Sequence, residues 1–257
     1  MAKITNKILA HNNDIPEIVN KNWPIFVGKF DMAREEGWDA CATQDGHIYV
    51  NSDFFVKVKN DDDLLAFIVA HEISHICLNH LAEHTSEDIA EKQNRLSFEV
   101  LTSMMLCVST WIFIRISGIP KLTIMPFILI FGMCLGRYVR VKTMKSPLPS
   151  EETTRTTKIQ EFEADEFGLR LVSRAGFDFR QAVLFYQKRK ENQSTNAKMS
   201  IPGYPKPEEN LINLIDLLPK AHDLRTSCGW PELSKSDETA EKLQTIINAI
   251  EQYTGSK

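Results

Sequence analysis

At 257 residues, with 43% hydrophobic and 25% charged residues, the chain has the make-up of one globular domain with at most an appendage. A net charge of −4, with no basic stripe interleaved with aromatics, excludes the electrostatic footprint of a nucleic-acid binder. Five scattered cysteines without a Cys-x-x-Cys pair exclude a disulfide framework and a cysteine-held metal cluster.

The first ten residues carry Lys3 and Lys7 but no long apolar core, so they do not read as a secretory signal, and the acids at Asp14 and Glu17 argue against a transit peptide. Residues 14–36 have helical spacing broken at Pro24, with Ile15, Ile18, Val19, Phe26, Val27 and Phe30 as candidate core. The pattern then shortens. Trp38–Ala42 and His47–Val50 are apolar runs separated by Gln44-Asp45-Gly46, and Asp-Gly between such runs predicts a β-hairpin. The second run, Gly46, His47, Ile48 and Tyr49 onward, is the candidate edge strand on which an extended peptide could be added as a further strand. Phe54, Phe55, Val56 and Val58 lead into the next element.

Residues 60–80 hold the chemistry. Asn60 and the acids Asp61, Asp62 and Asp63 mark a helix start, and Leu64, Leu65, Phe67, Ile68 and Val69 make the helix apolar enough to be buried. Inside that run stand His71, Glu72 and His75. Histidines four apart share a helical face and can hold one zinc ion together; a glutamate about 100° round the helix can reach the attacking water and take its proton. This is the His-Glu-x-x-His signature. Cys77, two residues on, points the other way and reads as packing. His80-Leu-Ala-Glu-His84 has the inverted spacing, but polar Thr85 to Asp88 follow it, so it reads as a solvated helix end.

Residues 96–140 are two apolar runs, Leu96–Ile116 and Leu122–Gly136, broken at Gly118-Ile-Pro120. They read as a helical hairpin able to enter a bilayer, against the alternative of two core helices. Basic residues flank it: Lys92 and Arg95 before, Arg137, Arg140, Lys142 and Lys145 after. That charge pattern puts both ends on the more positive side of a membrane. Whether the hairpin spans the bilayer or lies in one leaflet stays open.

Residues 144–158 read as a polar loop and Ile159 onward as a helix. On it Glu161 and Asp165 are four apart and share a face, which suits Glu161 as third metal ligand and Asp165 as acceptor for a ligand histidine's other N–H, leaving Glu163 exposed. Gly176 ends this helix; helices follow over 179–190, 211–218 and 239–253, the last capped by Ser236, with a loop across 191–210.

Asp-Gly-His-Ile-Tyr-Val, the Asn-Asp-Asp-Asp-Leu-Leu lead-in, His-Glu-Ile-Ser-His and Glu-Phe-Glu-Ala-Asp together resemble the membrane gluzincins, the metallopeptidase family that includes a bacterial heat-shock protease and the CAAX prenyl endopeptidase. The C-terminal half resembles most the mitochondrial inner-membrane branch of that family. The resemblance covers roughly residues 37–233 and implies His71, His75 and Glu161 as zinc ligands, Glu72 as base, Asp165 behind the ligands, and a membrane segment between the two motifs. One place departs from the family. Its usual His-Pro pair, followed five residues after the proline by arginine, here reads Tyr204-Pro205 and then Asn210. A Tyr204 hydroxyl could make the oxyanion hydrogen bond attributed to the family histidine. His222 and Arg225 are weaker substitutes.

The expected fold is mainly α with a small β-sheet, a zincin-like core over residues 1–257 with the 96–140 hairpin inserted between the zinc motifs. The expected activity is a zinc-dependent endopeptidase, one Zn²⁺ per subunit, acting on protein or peptide substrates at a membrane, with the mitochondrial inner membrane implied by resemblance and an oligomer left open. Protein quality control is the implied setting. The alternative, motivated by Tyr204 and Asn210, is a catalytically weak zinc-binding membrane adaptor of the same fold.

Overall fold

The computed structural model describes residues 1–19, 23–28, 40–43, 45–82, 105, 151–195 and 204–255. The chain divides into two compact units, Met1–Ala82 with Pro149–Lys257, and Glu83–Leu148. The hairpin expected at 96–140 lies, apart from Met105, outside the described residues, as do Glu83 and His84. Among the described residues no helix is long and apolar enough to cross a membrane.

The first unit runs α1 (Ala2–Ala10), α2 (Pro16–Val19), β1 (Ile25–Gly28), β2 (Ala40–Ala42), β3 (Ile48–Asn51), α3 (Ser52–Val58), α4 (Asp62–Cys77), α5 (Glu151–Arg174), α6 (Gln181–Thr195), α7 (Pro207–Ser227) and α8 (Glu238–Gly255). It is mainly helical with one three-stranded sheet, ordered β1-β3-β2. The Asp-Gly hairpin forms as expected: Gly46 takes φ +84, Thr43 N–H donates to His47 C=O at 2.9 Å, and β2 pairs antiparallel with β3. Only glycine adopts that backbone angle without cost.

Two expectations change here. Ile25–Gly28 is a strand and not part of a helix, parallel to β3 from Ile25↔Ile48 to Gly28↔Asn51. Trp-Pro ahead of a β-branched and aromatic run favours extended backbone, and Phe26 and Val27, expected in the core, are exposed. Pairing on both sides also makes β3 the middle strand, so Ile48 and Tyr49 have no free backbone edge to offer a peptide, while Gly46 and His47 belong to the turn. Among the described strands the free edge nearest the motif helix belongs to β2.

Helix α4 is the centre of the unit. Its N-cap is Asp61 rather than Asn60, with the carboxylate accepting from Leu64 N–H at 2.9 Å. Leu65, Phe67, Val69 and Ile73 are almost fully buried, so the helix is apolar on nearly every side. Helix α5 begins at Glu151, eight residues before the expected start; the Thr-rich stretch over 151–158 is polar but contains neither Gly nor Pro to prevent helix. It crosses α4 closely at Gly168, where a Cβ would lie 3.1 Å from His71 N and 3.2 Å from His71 Cα. At its C-terminal end Gly176 takes φ +73 beneath the Trp230 ring. The last helix is capped by Asp237, not Ser236: its carboxylate accepts from Ala240 N–H at 2.7 Å.

Candidate metal centre

The α4–α5 crossing brings together residues from opposite halves of the sequence. His71, His75 and Glu161 each present one ligand atom within 4.8 Å of the others. His71 Nε2 and His75 Nε2 stand 3.1 Å apart, and each lies 3.5 Å from a Glu161 carboxylate oxygen. The three side chains are only 13–14% exposed. Helical spacing accounts for the histidine pair; Gly168, by letting the helices touch, brings Glu161 to them.

Behind the ligands, His71 Nδ1 meets Asp165 Oδ1 at 2.9 Å. Asp165 is fully buried and also accepts from the Tyr186 hydroxyl of α6 at 3.0 Å. Asp165 therefore stands where its spacing placed it; Tyr186 had no sequence signal, because only the packing of α6 delivers it. Burial opposes charge on His71, but the hydrogen bonds its ring makes to the Asp165 and Glu161 carboxylates outweigh it and raise its hold on a proton. Burial likewise works against an ionised Glu161, yet His75, His71 and Arg189 draw its carboxyl down to about 2.

Glu72 has a different environment. It is 8% exposed, and burial pushes its carboxyl up to about 7, with Glu161 adding to the rise while His71, the Ala42 backbone N–H and Arg189 oppose it. A carboxylate held near neutrality is suited to exchanging a proton in both directions. The Ala42 backbone N–H thus couples the charge on Glu72 to strand β2. Arg189, on α6, adds a positive field at Glu72, Glu161 and Tyr186 that the sequence did not flag.

Tyr204 is half-buried in the bend just ahead of α7, and Asn210 is buried in that helix's first turn. Arg225 donates to the Phe177 and Pro231 carbonyls at 2.8 and 3.3 Å, a bracing role away from any reaction, and His222 is on the surface beside Asp223. Cys77 is buried, as its helix position implied. His80 overturns the reading of a solvated helix end: it is 2% exposed, and its ring reaches His75. Asn79, at φ +60, turns the chain back to put it there.

A helix bearing His-Glu-x-x-His crossed by one bearing Glu-x-x-x-Asp is a metallopeptidase arrangement. The chain belongs to peptidase family M48, whose family model matches residues 28–236. It is similar to the mitochondrial metalloendopeptidase OMA1 of Bos taurus, with 26% identity over 91% of this chain and 40% of the relative. For the Homo sapiens protein of that name the identity is 24% over 90% of this chain and 40% of the relative. The Danio rerio protein is 26% identical over 90% of this chain and 43% of its own length. The chain therefore spans less than half the length of the curated relatives it matches. No solved structure matches it.

Proposed function

We propose that the chain is a zinc-dependent metalloendopeptidase with His71, His75 and Glu161 as metal ligands and Glu72 as general base. The observation that carries this reading is the convergence of two imidazole nitrogens and a carboxylate oxygen within 4.8 Å. Ligands about 2.0–2.1 Å from a tetrahedral zinc stand roughly 3.3 Å from one another; the 3.1 Å between the two nitrogens fits that frame, and each nitrogen has one of the two Glu161 oxygens at 3.5 Å. Two neutral histidines and one glutamate leave a position open for substrate, the pattern of a catalytic rather than a structural zinc site.

When bound, zinc polarises the scissile carbonyl and acidifies a water. The remaining work belongs to the chain. Asp165 accepts from His71 Nδ1–H and so leaves its Nε2 turned to His75 and Glu161, where a metal would be held, and Tyr186 steadies Asp165. Glu72 takes the proton of the attacking water on a carboxylate oxygen and returns it to the departing amine. Among the described strands the outer edge of β2 replaces β3 as the one that would align an extended peptide. Tyr204 is the candidate donor to the developing oxyanion. Protein substrates at a membrane, the 96–140 segment as the membrane anchor, an inner-membrane location and a quality-control role complete this reading on the family resemblance alone; relatives named as mitochondrial support a mitochondrial setting.

The second reading, a catalytically weak zinc-binding adaptor, is favoured by Tyr204 and by Asn210, which is 3% exposed and occupies the place of the family arginine. Cleavage of an unfolded or membrane-anchored protein by the wild type and Glu72→Gln, with zinc content measured in both, separates the two. The enzyme reading expects zinc in both proteins and cleavage only by the wild type. Equal, background cleavage with zinc bound leaves the adaptor; a zinc-free wild type overturns both. Tyr204→Phe tests the oxyanion role, which unchanged turnover would remove.

A further inference from the structure

The zinc ligand His75 has a support of its own, distinct from the Asp165–His71 pair. Its Nδ1 lies 3.0 Å from Nδ1 of His80, and Nε2 of His80 lies 3.2 Å from Oε2 of Glu163. His80 is 2% exposed, whereas the Glu163 side chain is 56% exposed. The order is therefore a ligand, a buried imidazole and a surface carboxylate.

Hydrogen-bond chemistry gives a consistent assignment of protons along this row. His75 turns Nε2 to the ligand cluster, where it faces His71 Nε2 at 3.1 Å, so in the metal-binding form its proton must sit on Nδ1. That N–H can only donate, and the atom facing it, His80 Nδ1, must then be the bare, accepting nitrogen. His80 consequently carries its proton on Nε2, where the Glu163 carboxylate accepts it. Each ring holds one proton, and no donor meets a donor.

The backbone is shaped to deliver this contact. Helix α4 stops at Cys77, and Asn79 takes the left-handed conformation at φ +60, bending the chain so that His80 folds back on the last turn. Asparagine tolerates that conformation where a β-branched residue would not.

We propose that His80 and Glu163 are positioning residues that fix the tautomer and orientation of His75, making the second zinc ligand competent in the way Asp165 does for the first. This rests on the zinc-site reading above.

The test measures zinc affinity by chelator competition and ring protonation by nitrogen-15 NMR, on the full chain. His80→Leu removes the acceptor and lowers zinc affinity by about 10- to 100-fold, the usual cost of losing a residue that orients a metal ligand. His80→Asn places an accepting oxygen near the same point and restores most of it. Because His80 is buried, a folding check by circular dichroism accompanies both, and exposed Glu163 supplies variants that spare the core. Glu163→Gln keeps an accepting oxygen and stays near wild type. Glu163→Lys presents only donors, drives the His80 proton to Nδ1 against the His75 N–H, and lowers zinc affinity well below that of Glu163→Gln. In the zinc-loaded wild type NMR shows His80 protonated on Nε2. A zinc-loaded wild type with His80 protonated on Nδ1, or a folded His80→Leu with wild-type affinity, or equal affinities for the two Glu163 variants, overturns the proposal alone. A wild type that takes up no zinc overturns the proposal and the metallopeptidase reading together.

Discussion

Glu72 is expected to weaken the metal-free protein at neutral and alkaline pH, and Glu72→Gln to relieve that weakness. The side chain is 8% exposed, and burial lifts its carboxyl from the usual 4.5 to about 7. A value raised in the folded state means that the protonated form favours folding. The contribution is therefore complete below about 4.5 and lost as pH rises through about 7. A gap of about two and a half pH units, at about 1.4 kcal/mol each, corresponds to about 3 kcal/mol between the two limits. In a domain of this size that is about 6–12 °C in melting temperature. Glutamine keeps an oxygen for the Ala42 N–H but never ionises, so its stability lacks this component. The assay is thermal or urea unfolding of chelator-stripped wild type and Glu72→Gln from pH 5 to 8.5, in mild detergent. The two proteins should match near pH 5 and diverge by pH 8, with Glu72→Gln the more stable. Adding zinc should shrink the difference, because a nearby dication stabilises the carboxylate. Parallel stability curves across the whole range would refute the argument that buried charge at Glu72 is costly.

Three further outcomes follow from the same geometry. Gly168→Ala puts a methyl 3.1 Å from His71 N, so α4 and α5 must part by a few tenths of an ångström; the expected cost is about 1–3 kcal/mol in urea unfolding, with weaker zinc binding as Glu161 is drawn back. Unchanged affinity would mean that the crossing is slack. Asp165→Asn should lower zinc affinity by about 10- to 100-fold by removing the charge behind His71, while Tyr186→Phe, which removes one donor and leaves the carboxylate, should lower it less; the same chelator competition ranks them. In the zinc-loaded enzyme kcat/KM for a neutral peptide should fall as pH drops, because Glu72 must be ionised to accept a proton. The midpoint should lie below the value of about 7 that burial alone produces, and a midpoint above it would count against Glu72 as the base.

Much of the candidate site was legible from local spacing. His71 and His75 four apart, Glu72 between them, and Glu161 with Asp165 four apart are relations that any helix imposes, so recognising two helices sufficed to propose the constellation. The Asp45-Gly46 turn was equally local, because its backbone angle selects glycine. What depended on distant partners was misread. The run at Phe26 became a strand because β3 offered a parallel edge, and β3 lost its place as the free edge because that pairing occupied it. His80 looked like the polar end of a helix; its burial is decided by Asn79 turning the chain and by Glu163, 83 residues away, meeting its far nitrogen. Tyr186 reaches Asp165 only through the docking of α6. The sequence by itself determined which atoms could bind a metal and on which helical faces they stand. Tertiary structure decided which side chains meet those candidate ligands, because the hydrogen bonds behind them join residues whose separation along the chain carries no periodic signal.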